Sequence, residues 1–259
     1  MFSAIRDEQR YKKLFNLIFI VFMHIKNIQN HNLFAYRRLR RAIGYLGIFL
    51  PIILVLLSLF KFFGTSIQPS ISHYYFSNLR EIFTGTLSAV GLFLICYKGN
   101  GNKVIWKNDN ILTNLAGFMA IGVAFIPTDP IGSSCTQCTL VAVGLKELHY
   151  GFAAVLFLTF AFLSINVFTI GQEPNKEIPI SVMNENNIYR FCGYGIIVCI
   201  ALIPFKLFGY ATLVFEAIAL FLFGSSWLIK GRALGDKGAI GEKLYREHNT
   251  TDTEETGAF

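Results

Sequence analysis

Six apolar runs, each close to the length of a bilayer crossing, leave this chain few ways to fold. They fall at residues 42–63, 79–97, 111–128, 148–168, 188–208 and 210–229. A hydrocarbon core about 30 Å thick is crossed by about 20 helical residues. Lipid offers backbone N–H and C=O groups no water to bond, so each run is predicted to be a helix. Composition agrees: 53% of residues are hydrophobic, 15% are charged and the mean hydropathy is +0.49. Charged and polar surface is too scarce to cover so apolar an interior in water. The predicted fold class is all-α, a polytopic transmembrane bundle of six helices.

A seventh apolar run, 14–23, is too short, because ten residues rise only about 15 Å. It follows Lys12 and Lys13, but His24, Ile25 and Lys26 come next where a small-x-small cleavage site would stand. It reads as a short interfacial helix, or as an extension upstream of a start at Met23. The chain therefore divides into a basic segment at 1–41, a six-helix domain at 42–230 and a polar tail at 231–259. No soluble domain and no solenoid period is visible.

Charge sets the orientation. Of 23 Lys and Arg, all except Lys61, Arg80, Lys146 and Lys206 lie before the first run, in alternate connections or at their edge (Arg190, just inside the fifth run), or after the last run. Cytoplasmic segments retain Lys and Arg, so both termini are expected on the cytoplasmic side, with Arg37, Arg38, Arg40 and Arg41 as the strongest anchor. The net charge of +7 is thus a topology signal, and no nucleic-acid motif accompanies it. The expected partners are membrane lipids.

Polar residues collect at the opposite, outer face. The stretch "SISHYYFSNLREIF" supplies Ser70, Ser72, His73, Tyr74, Tyr75 and Arg80; "FIPTDP" supplies Asp129; "LKELHY" supplies Glu147, His149 and Tyr150. Some of these have ordinary roles open to them. Tyr74, Tyr75 and Tyr150 suit an aromatic belt, Arg80 can snorkel, and Asn78 with Glu81 suits a helix cap. The chemical alternative takes His73, Asp129 and His149 as candidate catalytic residues, with Ser72, Tyr74, Arg80 and Glu216 as candidate substrate contacts. Two imidazoles and a carboxylate also suit zinc, which makes His73, Asp129 and His149 the metal candidates. Without metal, a His–Asp pair can move protons. No H-x-x-x-H or HExxH spacing supports the metal.

Glu216 stands apart as an acid in the interior of the sixth run. An acid there is costly unless paired or protonated, so it is read as a hydrogen-bonded structural group, a proton carrier, or a counter-ion to Arg80 or a histidine. Small and polar residues stripe two runs: Thr84, Ser88 and Gly91 in the second, Asn114, Gly117 and Ala124 in the third. They suit close helix packing. Cys135 and Cys138, in "CTQC", are expected outside and disulfide-bonded to each other. Cys96, Cys192 and Cys199 fall in the runs as buried thiols.

The runs "SISHYYFSNLREIFTGTLSAVGLFLICYKG", "NLAGFMAIGVAFIPT" and "LHYGFAAVLFLTFAF" resemble an uncharacterised family of bacterial six-helix membrane proteins. That family is similar in turn to the Frag/DRAM/Sfk group. The residues carrying the resemblance are Ser72, Tyr74, Tyr75, Arg80, Pro127, Thr128, Leu148 and His149. It implies a polytopic protein of the bacterial inner (plasma) membrane and no particular activity. Ser72, His73, Asp129 and His149 also resemble part of the zinc site of ceramidase-like hydrolases, but the paired late histidines of those enzymes are missing. The leading expectation is a membrane protein with an outward-facing polar pocket that acts on or senses lipid. The alternatives are a metal-dependent lipid hydrolase and a proton-coupled transporter using Glu216.

Overall fold

The computed structural model describes residues 35–99, 103–129, 145–169 and 185–234. Among these there are helices and turns and no strand. The chain falls into two units, Met1–Arg38 and Leu39–Phe259, and the packing below belongs to the second. The interfacial run 14–23, the tail beyond 234, and Cys135 with Cys138 lie outside the described residues.

The helices are α1 (Ala35–Ser58), α2 (Arg80–Cys96), α3 (Asp109–Phe125), α4 (Leu145–Phe162, continued by a π-helical turn at Leu163–Val167), α5 (Glu185–Leu202) and α6 (Ala211–Lys230). Each of the six apolar runs carries one of them. Four helical spans are long and apolar enough to cross a membrane: Ala35–Ser58, Leu145–Val167, Glu185–Phe205 and Ala211–Lys230. α2 and α3 have 17 residues each.

Helix ends follow local chemistry. α3 starts where the Asn108 side chain accepts from the N–H groups of Asn110 (3.1 Å) and Ile111 (3.3 Å). α1 does not begin at 42 as its hydropathy suggests, but runs back through the arginine cluster to Ala35. Arg40 and Arg41 leave that helix sideways to bond the end of α6, so they do not stop it. The cap expected from Asn78 and Glu81 is not formed. Leu79 is the N-cap of α2, without a side-chain bond, and the Asn78 amide donates instead to the Phe63 carbonyl at 2.8 Å.

Packing reveals a period that hydropathy hides. A Cβ at Gly91 would lie 2.9 Å from the Gly117 carbonyl oxygen, and one at Gly117 would lie 2.6 Å from that of Gly91. Gly44 and Gly224 face each other in the same way, at 2.8 and 2.6 Å. A Cβ at Gly193 would meet the Ala161 carbonyl at 2.8 Å. So α2 lies on α3, α4 on α5, and α6 returns to α1, each pair touching backbone to backbone. Each contact residue is followed four places later by Ile or Leu: Ile48, Ile95, Ile121, Ile165, Ile197 and Leu228. In α1, α3 and α5 the glycine is also followed by an aromatic, Tyr45, Phe118 or Tyr194, and all three are exposed. The described helices are therefore three α-hairpins of one pattern. Each packs its second helix on the first helix of the next hairpin, and α6 closes the ring on α1. Only two positions per helix are nearly fixed, which is too little to register as a repeat by sequence alone.

The contact residues, a glycine in five of the described helices and Ala161 in α4, lie five to nine residues from the Arg40 end of their helices. An aromatic cluster runs from these contacts toward the Arg40 end. Phe160 stacks on Phe223 at 3.7 Å, and the buried Trp227 meets the edges of Tyr97 and Phe168 at 5.3 and 5.1 Å. The ring thus has a glycine-and-aromatic floor at the Arg40 end. The opposite end carries His73.

Candidate functional site

The 64–79 connection builds the His73 end. It leaves α1 through Gly64, whose left-handed φ of 56° suits a residue without a side chain. It then forms a 3-10 turn at Ser72–Phe76. Ser70 Oγ accepts the His73 backbone N–H at 3.2 Å and lies 2.5 Å from His73 Nδ1. Ser70 therefore braces the turn through the His73 N–H and positions its imidazole, a role not assigned to it from sequence.

Two reciprocal bonds fasten this connection to α6. The Leu213 N–H donates to the Pro69 carbonyl at 3.0 Å, and the Ile71 N–H donates to Glu216 Oε2 at 2.6 Å. The Ser72 backbone amide lies close enough to act on the Glu216 carboxylate. Of the roles open to Glu216, hydrogen bonding to these free amide donors is the one the geometry displays. It holds the connection directly beneath Ser70 and His73.

Tyr74 and Tyr75 are not belt residues. They are 0% and 4% exposed, and the Tyr74 hydroxyl sits 3.0 Å from Ser58 Oγ, which donates to the Leu54 carbonyl at 2.7 Å. Burial of both rings within the 3-10 turn, against α1 and its neighbours, outweighs the preference of tyrosine for headgroups. Arg80 does not snorkel freely either. Its guanidinium donates to the Tyr75 hydroxyl at 2.7 Å and lies 4.2 Å from the ring centroid. The candidate contact Ser72 is buried.

His149 enters from the first turn of α4 and is 2% exposed. Its Nδ1 lies 2.6 Å from the Ile126 carbonyl oxygen at the end of α3. A carbonyl only accepts, so Nδ1 carries the proton. In the neutral ring Nε2 then has a free lone pair, able to accept a hydrogen bond or a proton. Asp129 turns toward Lys146 in an exposed ion pair at 3.1 Å, and Lys146 reaches Glu147 at 3.9 Å. His149 and Asp129 are each near enough to His73 to act on its charge. Among the described residues, no group of three or more His, Cys, Asp or Glu is arranged to hold a metal ion. The zinc reading of His73, Asp129 and His149 has no such cluster behind it.

Burial is the main cause that holds the His73 imidazole below the usual histidine range. Neighbouring His149 acts in the same direction, and Asp129 opposes them. The unfolded chain therefore takes up a proton at higher pH than the folded one. The His73 contribution to stability is complete above the ordinary value of 6.5 and is lost as pH falls from there through the lower folded value. In detergent, the unfolding free energy of the wild type is expected to fall between pH 7 and 5 more steeply than that of His73→Gln. Equal slopes would contradict the burial.

A second polar cluster, at the Arg40 end, escaped the sequence reading. Lys230, the last residue of α6, donates to the Phe168 carbonyl at the end of α4 (2.9 Å), with Asp109 and Glu185 near enough to act on its charge. These two acids occupy the first turns of α3 and α5, where a helix favours negative charge. Both lie eight residues before the contact glycine of their helix, so the hairpin period was the signal that could have paired them. The Arg40 guanidinium holds the Tyr97 hydroxyl (2.7 and 3.2 Å) and the Lys230 carbonyl (3.4 Å). Arg41 holds the Gly231 and Arg232 carbonyls at 2.8 Å each. These cations satisfy the carbonyls that helices leave open at their C-termini.

No protein-family model, curated protein or solved structure matches this chain.

Proposed function

We propose that the chain is a six-span membrane protein, with both termini cytoplasmic in a bacterial plasma membrane, whose outer end engages lipid headgroups through His149 and His73. Four spans follow from length and composition. α2 and α3 rise about 26 Å each, close to the hydrocarbon thickness. They pack on each other at Gly91 and Gly117, in the layer shared by the four longer helices. That common layer supports counting all six as crossing. The resemblance to the six-helix family agrees with this reading.

The observation that carries the functional part is the His149 imidazole. Its Nδ1–H is committed to the Ile126 carbonyl, and it is near enough to His73 to act on that residue's charge. A neutral Nε2 there can accept a hydrogen bond from a headgroup hydroxyl or ammonium, or take its proton. Purified protein is tested with a phospholipid carrying a photoactivatable group in its headgroup. Cross-links are expected on the segments around His73 and His149. In His149→Asn the amide preserves the donor to Ile126 and removes Nε2, so the fold should persist and labelling fall about tenfold, the size expected for one hydrogen bond to a charged group. Undiminished labelling in folded His149→Asn would reject the site. Proton-driven solute uptake abolished by Glu216→Gln would favour a transporter instead.

A further inference from the structure

Between α2 and α3 the chain makes a short 3-10 turn, Ile105–Lys107, that puts apolar side chains into the open. Ile105 is 63% exposed, Trp106 61% and Val104 37%. Lys103 and Lys107 flank them, and both are exposed. The turn is ordered. The Lys107 N–H donates to the Val104 carbonyl at 2.9 Å and the Asn108 N–H to the Ile105 carbonyl at 3.1 Å. Asn108 then caps α3 at once, so the apolar tip is fixed to the start of a helix. On the other side, the Gly99 N–H donates to the Asn110 side chain at 2.6 Å. The Asp109 carboxylate fills the space that a Cβ at Gly99 would need. The turn therefore sits at the same end of the bundle as Arg40, Arg41 and Lys230.

An apolar tip between two lysines, held at one end of a membrane bundle, has a specific complement. We propose that residues 103–107 anchor the protein to the acidic leaflet of its bilayer, with Ile105 and Trp106 entering the headgroup zone and Lys103 and Lys107 pairing with lipid phosphates. Indole prefers the depth of the headgroups. Each lysine near an acidic surface strengthens binding roughly fivefold. Protein partners also use exposed tryptophans, but the flanking like charges favour a surface of uniform negative charge. The inference rests on the membrane reading of the fold and adds a contact at the end opposite His73.

The chain has two tryptophans, and Trp227 is wholly buried. The emission lost in Trp106→Phe therefore reports Trp106 alone. Full-length protein is placed in nanodiscs of phosphatidylcholine, or of phosphatidylcholine with phosphatidylglycerol. Acidic lipid is expected to shift Trp106 emission to the blue and lower its quenching by acrylamide about twofold. High salt should reverse the effect, and Lys103→Gln with Lys107→Gln should abolish it. Trp106 open to acrylamide in both discs would overturn the proposal in favour of a protein-facing or solvated turn. Equal shielding in both discs would overturn the recognition of acidic lipid. Failure of the chain to enter nanodiscs at all, seen first by flotation, would overturn the membrane reading and the anchor with it.

Discussion

Replacing Lys230 with methionine is expected to weaken the folded bundle by about 2–4 kcal/mol. A hydrogen bond to a charged group contributes about 1.5–3 kcal/mol, and the loss of a cation near two acids adds to it. The loss has two sources. The Phe168 carbonyl loses its donor, and Asp109 and Glu185 lose a nearby cation. Methionine keeps the length of the side chain and its contact with the Phe168 ring, so packing should change little. Neutralising the acids as well, in Lys230→Met with Asp109→Asn and Glu185→Gln, should recover the part of the loss that Lys230 supplies to the two acids beside their other partners. Denaturation in mild detergent, followed by the emission of Trp227 in a Trp106→Phe background, measures both. A triple variant less stable than the single one would show that the acids are held by other groups and that Lys230 acts only as a cap for α4.

Glycine substitutions in one helix pair should move stability in opposite directions. Gly85 and Gly117 lie in packed neighbours, α2 and α3. A Cβ at Gly85 meets nothing within 4 Å, whereas one at Gly117 lies 2.6 Å from the Gly91 carbonyl. Gly85→Ala removes backbone freedom from the unfolded chain and is expected to stabilise by about 0.5–1 kcal/mol. Gly117→Ala forces two backbones apart and is expected to destabilise by about 1–3 kcal/mol. The same loss should appear in Gly224→Ala, across the ring at the contact between α6 and α1. Equal effects at positions 85 and 117 would contradict the backbone contact.

The helices were legible because lipid-length apolar runs have few alternatives. Each of the six runs carries one helix, displaced by a few residues at its ends. The displacements come from side chains that bond across the bundle. Arg40 and Arg41 look like a boundary in the sequence, but they reach the last carbonyls of α6 and let α1 run past them. Tyr74 and Tyr75 look like belt residues because sequence records amphipathic character and not the direction of a 3-10 turn. Gly91 and Gly117 were legible as packing positions. Their pairing with each other, and the matching pairs at Gly44 with Gly224 and Ala161 with Gly193, needed the register of neighbouring helices.

The site was legible by kind and not by arrangement. His73 feels the charge of His149 and of Asp129, while each imidazole is held by its own local partner, Ser70 or the Ile126 carbonyl. Asp129 turns to Lys146, and Arg80 turns to Tyr75. Glu216 was visible as an acid out of place, but its partners are backbone amides, which leave no mark in composition. Asp109, Glu185 and Lys230 were overlooked for a related reason. At the edge of an apolar run, a solvated flank and a buried charge cluster are written with the same residues.

Six crossings with both termini inside are the claim on which every outer-site argument rests, and α2 and α3 are its shortest members. The direct test places a paired reporter, active as phosphatase outside and fluorescent inside, after Lys98, Ser134 and Gly171. Fusions after Lys98 and Gly171 are expected to fluoresce, and the fusion after Ser134 is expected to show phosphatase activity. The same reporter state after Lys98 and Ser134 would mean that α3 does not cross. A reversal at two of the three positions would put His73 and His149 in the cytoplasm and contradict the account.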